Sequence, residues 1–74
     1  MATQKQIEDL KEMIALELSV CDSSETPTVC SNIQTPEGLN KTVGVILKLV
    51  LDMKTTVSMA ILKYEELYNV NALD

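Results

Sequence analysis

Leu39, Val43, Ile46, Val50, Met53, Val57, Ala60, Tyr64 and Leu67 follow one another at alternating steps of four and three residues. No other feature constrains the chain as much, because apolar side chains at that spacing fall on one stripe of an α-helix and specify a coiled-coil seam. Nothing in the sequence stops a helix between Pro36 and about Asn69, and Gly44 is the residue that weakens it, by about 1 kcal/mol relative to alanine. The clustered Val and Ile residues lack the period-two alternation of a strand.

Between Lys41 and Met53 the stripe is flanked by further apolar residues. Val45, Leu49 and Met53 extend it on one side and Leu47 and Leu51 on the other, so at about 100° per residue the apolar arc sweeps roughly 240°. One neighbouring helix cannot cover that. In the second half the arc narrows to roughly 120°, formed by Val57, Ala60, Ile61, Tyr64 and Leu67. Lys48, Asp52 and Lys54 interrupt the run well short of the roughly twenty apolar residues a membrane helix needs. Each charge would cost about 3 kcal/mol at a bilayer centre, so no stable membrane insertion is expected.

Upstream, Thr3 and Gln6 have the spacing of a capping box. Behind them Ile7, Leu10, Ile14, Leu18 and Cys21 recur at three- and four-residue steps, which predicts an amphipathic helix over residues 3–20. Met13 and Glu17 edge its stripe. The segment DSSETPTVCSNIQ, residues 22–34, is rich in residues whose side chains compete for backbone partners, and it reads as a linker anchored by Val29 and Ile33. Thr35 followed by Pro36 reads as an N-cap with proline at the first helical position.

These elements predict a single all-α domain over residues 1–74: helix 3–20, linker 22–35, helix 36–69. A chain of 74 residues buries only about 60% of the surface it exposes when unfolded, so some further source of stability is needed. There is no His, and Cys21 and Cys30 are the only cysteines, which leaves too few soft ligands for a structural zinc site. Association is the remaining source. The expected object is a helical hairpin, short first helix against long second helix, that associates through its seam into a coiled-coil or four-helix-bundle homodimer.

The charge pattern narrows the partners. The net charge is -5, there is no Arg, and residues 1–38 hold seven acids against two bases while residues 39–74 hold four of each. Nucleic acid and anionic lipid both require clustered cations, so neither is expected as a partner. The opening MATQKQIEDL lacks the basic start and apolar run of a signal peptide, and a cytoplasmic location is expected. In that compartment Cys21 and Cys30 are expected as free thiols, although the loop between them is short enough to close under oxidising conditions.

No chemistry emerges. The absence of His removes the usual general base, the two cysteines have no imidazole partner, and no glycine-rich nucleotide loop occurs. Glu8 and Glu12, or the adjacent Glu65 and Glu66, are spaced as surface helix acids commonly are, without the Glu-x-x-His pattern of a bundle metal site. The expectation is therefore no catalytic residue, no metal and no cofactor. Function is expected on the surface: a small adaptor or inhibitor that presents helix to another protein. Met59, Leu62 and Tyr68 are its expected contacts, with Glu65 and Glu66 as a charged rim. A structural homo-oligomer is the first alternative and reversible binding to a membrane surface the second.

Overall fold

The predicted capping box opens the first helix of the computed structural model, which describes residues 3–69. Gln6 N–H donates to Thr3 Oγ1 at 3.2 Å, and Thr3 N–H donates to Gln6 Oε1 at 2.8 Å. This helix, α1, spans Gln4–Ser19 and buries Ile14 and Leu18, with Leu10 half-buried beside them.

Two corrections to the expected fold follow. The segment read as a linker contains a short helix, α2 (Pro27–Asn32). Thr26 and Pro27 stand in the same relation as Thr35 and Pro36, with proline at the first helical turn, and the hydroxyl-rich residues around them obscured the pattern. Val29, expected as an anchor, is fully buried, and Ile33 packs half-buried against the core.

The long helix is also two helices, α3 (Pro36–Met53) and α4 (Val57–Tyr68). Lys54 closes α3 in the left-handed region, at φ 52° and ψ 48°, and Thr55 N–H donates to Val50 O at 3.2 Å, a Schellman-type ending. Thr56 then caps α4, its Oγ1 accepting from Met59 N–H at 3.2 Å. A left-handed lysine costs about 1 to 2 kcal/mol. Folding α4 back buries Val57, Ala60 and Tyr64 in the core of the same chain, and Val and Tyr alone each gain about 1.5 to 3 kcal/mol from burial. Burial wins. The periodicity was blind to the break because α4 keeps the heptad phase of α3 across it.

The expected two-helix hairpin is therefore replaced by a four-helix bundle within one chain. Its most extensive packing is between α3 and α4, then α1 and α3, while α2 packs on α4 and α3. All four helices supply the core: Ile14 and Leu18 from α1, Val29 from α2, Val43 and Ile46 from α3, and Val57, Ala60 and Tyr64 from α4. The bundle measures 40 × 24 × 18 Å. The expected free thiols are also corrected, since Cys21 and Cys30 form a disulfide with their Cα atoms 5.8 Å apart.

Two substitutions test this packing. Glycine at Lys54 removes the left-handed penalty and is expected to raise stability by about 1 kcal/mol, read as a higher denaturant midpoint at unchanged slope. The two glycines of α3 differ. A Cβ on Gly38 would collide with the carbonyl oxygen of Asn32, where the end of α2 meets the start of α3, whereas a Cβ on Gly44 meets nothing within 4 Å. Gly38→Ala is expected to cost about 2 kcal/mol and Gly44→Ala to add about 1 kcal/mol, both measured by urea titration.

Candidate interaction surface

Of the residues expected to meet a partner, Met59, Leu62 and Tyr68 are exposed, at 56%, 49% and 48%. Met59 and Leu62 are three apart on α4 and so neighbours on its surface. Glu66 is exposed and pairs with Lys63 at 3.5 Å, an open ion pair of the kind that contributes about 0 to 1 kcal/mol. The Tyr68 ring lies against Tyr64, with centroids 4.6 Å apart, and Tyr64 Oη accepts from Asn32 Nδ2 at 2.7 Å. Val70, off the main arc in the sequence, lies outside the described residues.

Glu65 is not part of a charged rim. It is 6% exposed, and its two carboxylate oxygens accept from the first turn of α2: Oε2 from Thr28 N–H at 3.1 Å and Oε1 from Val29 N–H at 2.9 Å. The N-cap residue of α2, Thr26, makes no side-chain cap bond. A carboxylate from α4 therefore does the work of a cap, and its negative charge sits at the positive end of the α2 dipole. In the sequence Glu65 and Glu66 are adjacent acids, about 100° apart around the helix. Glu65 lies four residues after Ile61, on the edge of the apolar arc, which is the signal that separates them.

The nine seam residues divide in the same way. Val43, Ile46, Val57, Ala60 and Tyr64 are buried among helices of this chain, Leu39 and Val50 are half-buried against the same core, and Met53 and Leu67 are exposed.

The sequence reading missed the outer face of α1. Met13, Leu16 and Val20 stand exposed there, and Leu16 and Val20 fall outside the predicted stripe. Between this helix and α4 runs a groove in two depressions that share Glu17 and Ser58. One, of about 230 Å3, has Val20, Ile61 and Leu62 among its walls together with Glu17, Asp22 and Glu25. The other, of about 390 Å3, is lined by Leu10, Met13, Val50 and Val57. No lysine lines either. At the groove's end Asp22 Oδ1 accepts from Ser24 Oγ at 2.7 Å and Ser24 N–H at 2.9 Å, and these two bonds hold its carboxyl below the ordinary carboxylate value.

Among the described residues no three Cys, Asp or Glu side chains are grouped to hold a metal ion. No described helix is long and apolar enough to cross a membrane. The chain matches no protein-family model, no curated protein and no solved structure.

Proposed function

We propose that this chain is a protein–protein interaction module, acting as an adaptor for or an inhibitor of another protein. One observation carries the reading: beside the buried core, nine large hydrophobic side chains among the described residues stand exposed, several of them on α1 and α4. Scattered apolar residues are ordinary on a protein surface, but Met13, Val20 and Leu62 line the α1–α4 groove, and apolar residues gathered at a groove mark a contact site. The lack of Arg and the acidic first half support a protein partner over nucleic acid or anionic lipid.

A photo-crosslinking residue at Met59, introduced into the full chain in its cell of origin, tests the proposal. The expected product is one protein species joined at constant stoichiometry and lost when Leu62→Lys is added. Crosslinks spread over many abundant proteins, unchanged by Leu62→Lys, would sink it.

A homo-oligomer is the second reading, favoured by Leu51 and Met53, which are exposed near the end of α3 and line neither depression of the α1–α4 groove. Light scattering across a dilution series separates the two, since a held multiple of 8.2 kDa supports assembly and a monomer does not. The Cys21–Cys30 bridge weighs against the cytoplasmic location expected from the sequence, and a direct test separates the two compartments. In a reducing compartment, alkylation on rapid lysis labels both Cys21 and Cys30, whereas protection of both means an oxidising one.

A further inference from the structure

We propose that the groove between α1 and α4 receives a basic amphipathic helix of the partner protein. This rests on the interaction reading above and specifies its site and its ligand.

The geometry selects a helix. The two depressions run along α1 from Leu10 and Met13 to Val20, a distance of about 15 Å at the rise of an α-helix. That matches an apolar face with anchors at i, i+4, i+7 and i+11, whose side chains would enter both depressions on either side of Ser58. Ser58, which with Glu17 borders both depressions, is small and exposed, so it leaves room on the α4 side of their junction.

Charge selects the sign. Glu17, Asp22 and Glu25 rim the groove, and among the described residues none of them has an ion-pair partner. An occupant carrying Lys or Arg beside its apolar stripe would meet three carboxylates that lack an ion-pair partner, with gains in association rate and in selectivity. A second copy of this chain fits poorly, since a two-fold contact would bring the same acidic rim against itself. An anionic bilayer fails for the same reason.

The probe is a fluorescein-labelled synthetic helix of about five turns, leucines at i, i+4, i+7 and i+11 and lysines on the flanks, titrated against the full disulfide-bonded chain by anisotropy. Two controls accompany it: the same helix with glutamate for lysine, and one of identical composition in scrambled order. Binding by the lysine helix is expected to be at least about tenfold tighter than by either control. Leu62→Lys is expected to weaken it at least about tenfold, and Glu17→Lys with Glu25→Lys to reverse the preference toward the glutamate helix. All three positions are exposed, so circular dichroism should show an unchanged fold.

Equal binding by the scrambled peptide would mean bulk charge attraction and would overturn the proposal. Ordered binding that ignores Leu62→Lys and the charge reversal would overturn the groove while leaving the interaction reading intact. Co-sedimentation with phosphatidylserine vesicles, lost with Leu62→Lys, would overturn it in favour of a lipid surface. Failure of every peptide alongside a specific Met59 crosslink would overturn the basic helix alone. Failure of both experiments would remove the interaction reading with it.

Discussion

Glu65→Ala is expected to lower the unfolding free energy by about 3 kcal/mol. The alanine strips two carboxylate bonds from backbone donors, leaving the buried Val29 N–H without a partner and the half-buried Thr28 N–H to solvent. Bonds to a charged acceptor contribute about 1.5 to 3 kcal/mol, and an orphaned buried donor costs about as much. Against a total stability of roughly 4 to 11 kcal/mol for a domain of this size, that is a large share. Glu65→Gln keeps one acceptor oxygen and loses the favourable charge at the α2 N-terminus, so about half the loss is expected. Urea titration measures the energies. Amide exchange at Thr28 and Val29 decides the cause: protection there should collapse in the alanine variant well before protection in α3. Uniform loss across all helices would mean that Glu65 acts on the bundle as a whole and not as a cap.

Removing the disulfide by Cys21→Ser with Cys30→Ser is expected to cost about 2.7 kcal/mol, from the loop-closure entropy of a short loop. Calorimetry should show a melting temperature lower by about 10 to 20 °C. This bridge and the Glu65 carboxylate hold the same element, since Cys30 lies within α2 and Thr28 and Val29 form its first turn. Once α2 is released by one lesion, the other has less to lose. The triple variant should therefore be more stable than the sum of the separate losses implies, by about 1 kcal/mol or more. Strict additivity would mean that the bridge stabilises something other than the seating of α2.

How far the sequence discloses this fold depends on where each signal sits. α1 was legible to its cap, because the Thr3 and Gln6 pair is local and its stripe repeats for four turns. Tyr64 was legible as core from its heptad position, and the structure buries it. The break at Lys54 was not legible, since no Gly or Pro marks it. It exists because the second half of the stripe can bury itself against the first, a long-range gain that no window of residues displays. The Thr55 and Thr56 pair was the available local hint. α2 was hidden for a similar reason, as its cap is supplied from another helix. Exposed Met59, Leu62 and Tyr68 were correctly read as surface, whereas Glu65 required its neighbours in space to be known and the α1 side of the groove required the packing angle of two helices.

The carboxylate on α2 also orders events during synthesis. A six-residue helix is too short to persist alone in water, and the group that satisfies its first turn is added to the chain 36 residues after Val29. As the polypeptide leaves the ribosome, α1 emerges with its capping pair already in hand, but residues 27–32 have nothing to close their N–H groups until α4 has been made. For that interval Cys21 and Cys30 are joined by unsettled chain, open to whatever oxidant or reductant surrounds them. The completed bundle then half-buries both sulfur-bearing residues. Until α4 is made, the chain between the two cysteines therefore has no capped helix to set their separation.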